Sequence, residues 1–223
     1  MADTGWRTAG TGTNRTDWGG KVAWTTPGNI NNTGSSYAYF SRSSSGASRQ
    51  LYASNFGFGG VLPDNVIITG VSVRRRIEAG YAWGGGPPAR WSLATTFSAL
   101  QLADGSSRQG STKSGAFTTP RGDPQIDDIG ESSPDTWGWA LTRDDVIATD
   151  FGVAMGANRN AVNSGVTATA YVFYVQMKIY YEEAPSNTGS FFALFADNVK
   201  DRIKDILKPK PKFWLPEKGV ILT

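Results

Sequence analysis

Residues 66–78 read Val-Ile-Ile-Thr-Gly-Val-Ser-Val-Arg-Arg-Arg-Ile-Glu, and this stretch decides the fold class. Apolar side chains occupy most of its odd positions, whereas glycine, serine and arginine occupy most of the even ones. Because successive side chains of a strand point to opposite faces of the sheet, the pattern predicts a β-strand whose odd face is buried. Arg75 breaks this pattern, and we expect it where the strand leaves the sheet.

A second alternating stretch, residues 166–182, predicts another long strand with a buried odd face. Seventeen residues would span roughly 55 Å, which is longer than most strands. We therefore expect a bend or a β-bulge near Thr169 to Tyr171. The side chains assigned to the buried face are Thr167, Thr169, Tyr171, Phe173, Val175, Met177, Ile179 and Tyr181.

Shorter apolar or aromatic segments bounded by Ser and Gly predict further strands. Thr142 is placed to cap one helical turn that ends at Ala148. Together these features predict an all-β protein, an antiparallel, jelly-roll-like β-sandwich with a C-terminal amphipathic helix and an extended arm. The additional predicted strands are 36–41, 49–54, 91–103 and 151–157, and the predicted loops are 84–90 and 104–135.

The chain of 223 residues contains no histidine and no cysteine. These are the favoured proton shuttle, nucleophile and soft metal ligands of proteins, so zinc and haem sites are not expected and disulfides are excluded. We expect no cofactor and no enzymatic activity, although carboxylate-only hydrolysis and calcium binding remain open. The sequence predicts neither a signal peptide nor a membrane-spanning segment.

The composition changes after residue 183, which suggests an N-terminal edge at 1–35, a β-sandwich at 36–183 and a C-terminal segment at 184–223. Apolar residues at spacings of three and four predict an amphipathic helix, and alternating Lys and Pro predict an extended arm. Residues 200–218 hold seven Lys or Arg against three acidic residues, a local net charge of +4, whereas the net charge of the whole chain is +3. The predicted partner-binding residues are Phe192, Phe195, Val199, Ile203, Phe213, Trp214 and Leu215.

The order of several short elements resembles a family of β-sandwich domains found in tailed-bacteriophage structural proteins, of the head decoration, neck or tail accessory type. The resemblance covers about residues 18–182. It implies a virion structural component and carries over no catalytic residue. The elements that carry it are Trp24 to Asn29, Asn55 to Phe58, Pro63 to Val73, Trp137-Gly138, Thr142 to Ala148, Asp150 to Val153 and Tyr171 to Tyr181.

Three short motifs suggest chemistry, and each has a simpler structural interpretation. Asp150-Phe151-Gly152 spells the kinase magnesium motif, but its companion elements are missing, so a strand entry with Phe151 buried is favoured. Gly84-Gly85-Gly86 has no Lys-Ser/Thr after it and indicates a hairpin tip. The acidic stretch offers oxygen ligands for calcium without the spacing of a known calcium loop, so a solvated loop is favoured; its members are Asp123, Asp127, Asp128, Glu131 and Asp135.

Two further groups suggest binding surfaces. Arg74 and Arg76 share one side of their strand and Arg75 takes the other, so a continuous three-arginine patch is excluded. Aromatic side chains could stack on sugars, with core or interface packing as the favoured alternative. The aromatic side chains considered are Trp6, Trp18, Tyr81, Trp83 and Trp91, of which Trp83 and Trp91 are the candidate glycan contacts.

The sequence therefore predicts a non-enzymatic structural component of a bacteriophage particle, assembled in the host cytoplasm. Its predicted partners are other copies of itself, with a trimer as the guess, and other virion proteins bound through the C-terminal helix and arm. Neither nucleic acid nor membrane is expected as a partner. The alternative is a carbohydrate- or receptor-binding module of a phage tail or fibre, which would contact host glycans.

Overall fold

The computed structural model describes residues 1–82, 95–117, 125–130, 135–159 and 167–185. In these ranges the helical elements are one short helix, α1 (Arg143–Ile147), and two 3-10 helices, Pro27–Asn31 and Phe58–Gly60; strands and irregular segments make up the rest. None of the helices in these ranges is long and apolar enough to cross a bilayer. The strands are β1 (Ala2–Asp3), β2 (Arg7–Thr8), β3 (Thr11–Arg15), β4 (Ala38–Arg42), β5 (Gly46–Ala47), β6 (Gln50–Ser54), β7 (Val66–Ala82), β8 (Thr95–Ala103), β9 (Arg108–Phe117), β10 (Gln125–Ile129), β11 (Gly152–Met155), β12 (Asn158–Arg159) and β13 (Thr167–Glu183).

The strands form two antiparallel sheets. Within the described residues, a six-stranded sheet centres on β13 and β7, with β1, β2 and β4 on the free side of β13 and β10 on the free side of β7. A seven-stranded sheet follows the order β3-β6-β11-β8-β12-β5, and β9 also pairs with β8. One cluster of buried side chains takes members from both sheets. The predicted all-β, two-sheet arrangement is confirmed, while the jelly-roll-like detail stays a prediction.

The β7 strand keeps one buried face for most of its length. Val71, Val73 and Ile77 are at most 1% exposed, as the alternation predicts. Near its start the pairing with β13 slips by one residue at Thr69, so the phase reverses and Ile68 is buried while Ile67 is 52% exposed. The prediction of a buried odd face is therefore correct from Val71 onward and wrong at Ile67, because a strand irregularity exchanges the two faces.

The β13 strand contains the predicted bulge, but closer to its centre than predicted. Val172 pairs with Ile77 and Tyr174 pairs with Arg76, which leaves Phe173 as the extra residue. Before the bulge the even positions of β13 face the core, and after it the odd positions do. The predicted burial of the odd face is confirmed for Val175, Met177 and Ile179. It is wrong for Tyr171, which lies on the opposite face because the bulge adds one residue.

Two tryptophans anchor the core at separate points. Trp24 is 2% exposed and donates its indole N–H to the carbonyl of Arg49 at 2.8 Å. Trp137 is fully buried and donates its indole N–H to the carbonyl of Val71 at 2.9 Å. Each ring buries a large apolar area and its polar atom is satisfied, so neither carries the penalty of an unpaired buried donor.

The region 104–135, predicted as loop, contains two strands instead. Strand β9 pairs with β8 in the seven-stranded sheet, and β10 pairs with β7 in the six-stranded sheet. Both are rich in polar or charged residues, so neither shows the apolar alternation by which strands are recognised in a sequence. Their pairing partners decide their structure. The acidic residues Asp127 and Asp128 therefore belong to a strand, and the solvated-loop interpretation is wrong for them.

Two local predictions are confirmed. Helix α1 begins after Thr142, whose side-chain oxygen accepts the backbone N–H of Asp145, while the Asp145 carboxylate accepts the N–H of Thr142. This is the capping box expected at a helix start. Phe151 is 1% exposed, directly before β11, so the Asp150-Phe151-Gly152 motif is a strand entry.

The N-terminal residues contribute strands to both sheets. Residues 1–35, predicted as an irregular edge, supply β1 and β2 to the six-stranded sheet and β3 to the seven-stranded sheet. Met1–Ala184 forms one compact unit. The predicted C-terminal helix and arm, apart from residues 184 and 185, lie outside the described residues.

Candidate functional site

The six-stranded sheet has one face turned away from the core, which we call the outer face. On β7 the core takes Val71, Val73 and Ile77, so the intervening side chains point the other way. The same reasoning on the paired strands brings polar and aromatic side chains together on this face. Its members with described contacts are Trp6, Thr8, Tyr37, Tyr39, Ser72, Arg74, Arg76, Glu78, Asp128, Tyr171, Phe173, Tyr174, Gln176, Lys178 and Tyr180.

An aromatic cluster lies where β4 meets β13, and it consists of Tyr37, Tyr39, Tyr171 and Phe173. Tyr37 is 39% exposed. Its ring centroid is 4.9 Å from Tyr171, 5.5 Å from Phe173 and 6.2 Å from Tyr39, with interplanar angles between 70° and 81°. Edge-to-face contacts of this kind fix ring orientation. The cluster therefore presents an ordered aromatic surface.

The bulge in β13 creates this cluster. A bulge turns two successive residues toward the same side of a sheet. Phe173 and Tyr174 are both nearly buried, at 9% and 8% exposure, yet neither belongs to the core cluster between the sheets. The Arg76 guanidinium lies 4.9 Å from the ring centroid of Phe173. Because of the extra residue, the ring of Phe173 lies on the outer face beside Arg76, whereas uninterrupted alternation would place it in the core.

A second aromatic position lies further along β13, around Trp6. The Arg74 guanidinium is 4.3 Å from the Trp6 ring centroid and the Lys178 ammonium is 4.8 Å from it. The same ammonium is 4.9 Å from the ring of Tyr180. Cation–π contacts are worth about 0.5–1 kcal/mol at exposed sites. We call Trp6, Arg74, Lys178 and Tyr180 the Trp6 group.

The polar side chains between these two positions are held in place. Arg74 donates to both oxygens of Asp128, at 2.6 Å each, across the β7–β10 pairing. Gln176 donates its side-chain N–H to the hydroxyl of Thr8 at 3.2 Å. A bidentate Arg–carboxylate pair fixes both geometry and charge. The predicted separation of Arg74 and Arg76 from Arg75 is confirmed.

Arg75 lies on the core side and is fully buried. It donates to a single oxygen of Asp127 through both Nε, at 3.0 Å, and Nη2, at 2.6 Å. Burial lowers the pKa of Arg75, and the charge of Asp127 and its hydrogen bonds oppose that change. The sequence predicts Arg75 at the point where the strand leaves the sheet. This prediction is wrong, since Arg75 pairs in register with Val175 of β13 and with Asp127 of β10.

The described members of the acidic stretch do not form a metal site. Asp127 and Asp128 point to opposite faces and each holds an arginine. Asp135 binds the Lys113 ammonium and accepts the N–H of Trp137 at 2.7 Å; the lysine hydrogen bond lowers the pKa of its carboxyl group. No group of three or more potential metal ligands occurs in the ranges that the structure describes.

A smaller aromatic contact lies on the other sheet. Trp18 meets Tyr52 edge to face at 5.3 Å, and the Arg15 guanidinium lies 4.1 Å from the Trp18 ring. Tyr52 is 4% exposed, and burial raises the pKa of its hydroxyl group. Its hydroxyl donates to the carbonyl of Asp150. Since the Tyr52 hydroxyl group already has a hydrogen-bond partner, we interpret this arrangement as a packing contact within the fold.

The structure tests only some of the predicted site residues. Trp6 and Trp18, considered as sugar-stacking side chains, are both partly buried beside cations. The aromatic cluster was missed, since sequence alternation placed Tyr171 and Phe173 in the core. The predicted residues that lie outside the described ranges are Trp83, Trp91, Phe192, Phe195, Val199, Ile203, Phe213, Trp214 and Leu215.

No family model matches the chain, and no curated protein matches it. Among solved structures, TmCBM61 in complex with β-1,4-galactotriose is 12% identical, with 80% of this chain and 90% of that chain covered and a TM-score of 0.34. A structure described as "CBM4 structure and function" is 13% identical, with 80% and 95% covered and a TM-score of 0.30. Neither likeness bears on which residues of this chain bind a ligand.

Proposed function

We propose that this chain is a non-enzymatic binding module and that it holds a glycan against the outer face of the six-stranded sheet. The observation that carries the proposal is the aromatic cluster around Tyr37, whose exposed ring stands among Tyr39, Tyr171 and Phe173. Ring faces are amphipathic in the same way as the faces of sugar rings, so they stack with little loss of hydration.

The surroundings of the cluster support a binding role. Arg76, beside Phe173, and Gln176, further along β13, supply hydrogen-bond donors for hydroxyl groups. These side chains are mounted on paired strands, which hold a site more precisely than loops do. A row of side chains along paired strands suits an extended chain that makes several weak contacts.

The described carboxylates of the acidic stretch favour binding over turnover. Each of Asp127 and Asp128 is engaged by an arginine, and Asp135 is engaged by a lysine. A general acid needs a raised pKa, whereas the pKa of Asp135 is lowered. The chain also has no histidine or cysteine to act in place of a carboxylate.

The proposal is tested with the full chain on an array of soluble oligosaccharides, followed by titration calorimetry on any that bind. Replacing Tyr37 and Tyr171 with Ala should weaken binding by about tenfold or more, because two stacking surfaces are lost. Val61→Ala is the matched control, since Val61 is an exposed apolar side chain elsewhere. Equal binding by both variants would refute the proposed site.

A second candidate function follows from the sequence resemblance to tailed-bacteriophage structural proteins. In this proposal the chain is a virion component that binds neighbouring subunits, including copies of itself, through residues 184–223. Its support is the order of short elements between residues 18 and 182. The two functions are compatible, because a glycan-binding domain on a phage tail or fibre would be part of the particle.

Deletion of residues 208–223 tests this second candidate. We expect a truncated chain with an unchanged β-fold that enters particles poorly, as judged by the protein content of purified particles. Sedimentation of the purified full chain and of the truncated chain tests the predicted trimer at the same time. Normal incorporation of the truncated chain would count against anchoring through the arm.

A further inference from the structure

Among the residues that the structure describes, two cations on the outer face have no acidic partner. Within the described residues, neither Arg76 nor Lys178 forms an ion pair, whereas Arg74 between them is neutralised by Asp128. Glu78 shares this face but is only 8% exposed. Accessible cations without a carboxylate leave their positive charge available to a ligand.

Both cations lie beside aromatic rings. Arg76 is 4.9 Å from the ring centroid of Phe173 in the aromatic cluster, and Lys178 is 4.8 Å from that of Trp6. A sugar stacked on either aromatic position would therefore have a cation at its edge. Ring contacts also restrict these long side chains, which reduces the entropy lost when they bind an anion.

The spacing of the cations suits an extended ligand. Arg76 is opposite Tyr174 in the β7–β13 register. Lys178 lies four residues beyond Tyr174 along β13, which corresponds to about 13 Å. The Arg74–Asp128 pair and Gln176 occupy the space between. Two separate anionic groups on one chain would reach both cations, whereas a single small anion would reach one.

We propose that the glycan bound on the outer face is acidic and that its carboxylate or sulfate groups pair with Arg76 and Lys178. This inference rests on the proposed glycan-binding function and specifies its ligand class. Charge-assisted hydrogen bonds are about twice as strong as neutral ones. The acidic groups therefore supply affinity, and the aromatic rings orient the sugar.

Titration calorimetry with the full chain tests the ligand class. One pair of ligands, oligogalacturonate and its fully methyl-esterified form, tests carboxylate groups. A second pair, dextran sulfate and dextran, tests sulfate groups. We expect the acidic member of at least one pair to bind about tenfold or more tightly, with affinity falling as salt rises. The pair in which the acidic member binds more tightly identifies the anionic group that the protein prefers.

Variants assign the effect to residues. Arg76→Gln and Lys178→Gln should each remove most of the preference for the acidic member, while Lys21→Gln, an exposed lysine elsewhere, should leave it intact. Equal affinity for both members of each pair, or an unchanged preference in Arg76→Gln and Lys178→Gln, would overturn the inference and leave the glycan-binding proposal standing. Absence of binding to every oligosaccharide on the array would overturn both.

Discussion

Arg75 and Asp127 face each other across β7 and β10, and a fully buried guanidinium depends on a carboxylate that is one-third exposed. The Nη2–Oδ2 distance is 2.6 Å. The pair fixes the register of an edge strand that contains few apolar side chains. It also explains how three consecutive arginines fit within one long strand.

Replacing Asp127 with Ala should lower the free energy of unfolding by about 2–4 kcal/mol, because it removes the carboxylate from a buried cation. The measurement is urea unfolding at neutral pH followed by tryptophan fluorescence. Asp128→Ala is the matched control on the adjacent residue. Its partner Arg74 is partly exposed, so the expected loss is only about 1 kcal/mol.

The combined substitution Arg75→Met and Asp127→Leu separates charge from packing. An apolar pair of similar volume carries no desolvation penalty, so this variant should be more stable than Asp127→Ala alone. A double variant less stable than Asp127→Ala would show that the shape of the pair, and not its charge, supports the strand.

The two long strands could be predicted because their alternation is local information. The length of β13 predicted a bulge in it, but the position of that bulge could not be predicted, since alternation alone does not show where one residue is added. Alternation therefore assigns Phe173 to the core, whereas the pairing of Val172 and Tyr174 places it on the opposite face. Strand β10 could not be predicted either, because its acidic residues are matched by arginines more than 50 positions earlier in the chain.

The candidate site was only partly accessible to sequence reasoning. The aromatic character of residues 36–41 was evident, but its contact with Tyr171 joins segments that are far apart in the chain. The candidate glycan contacts Trp83 and Trp91 flank the predicted loop 84–90, and they remain predictions. The fold brings together a different set of rings, and only strand pairing identifies it.

Replacing Thr142 with Ala should destabilise the protein by about 1 kcal/mol, because the N–H of Asp145 loses its acceptor at the start of α1. Thermal unfolding followed by circular dichroism measures the effect. Thr142→Ser keeps the hydroxyl group and should retain most of the stability. Equal losses in the two variants would show that the methyl group matters more than the cap.

The stabilising effect of Asp135 should depend on pH. The lysine hydrogen bond lowers the folded-state pKa of this carboxyl group below its ordinary value, so its contribution is present above the unfolded pKa and is lost as pH falls through the folded pKa. The stability difference between the unmodified chain and Asp135→Asn should therefore shrink below about pH 4. Urea titrations at several pH values measure it, and the same comparison in a Lys113→Met background should show a smaller pH dependence, since only the Trp137 N–H then lowers the pKa of the carboxyl group.

Replacing Gly152 with Ala should destabilise the fold by about 2 kcal/mol or more, because overpacking forces the backbone to move. A Cβ atom at this position would lie 2.1 Å from the carbonyl oxygen of Ala53 in the neighbouring strand β6. Gly59→Ala is the control, since its Cβ would meet only an ordinary contact with Ile147 at 3.8 Å. Urea unfolding compares the two. A stable Gly152→Ala variant would mean that β6 and β11 can separate locally, and the strand-packing explanation for this glycine would then fail.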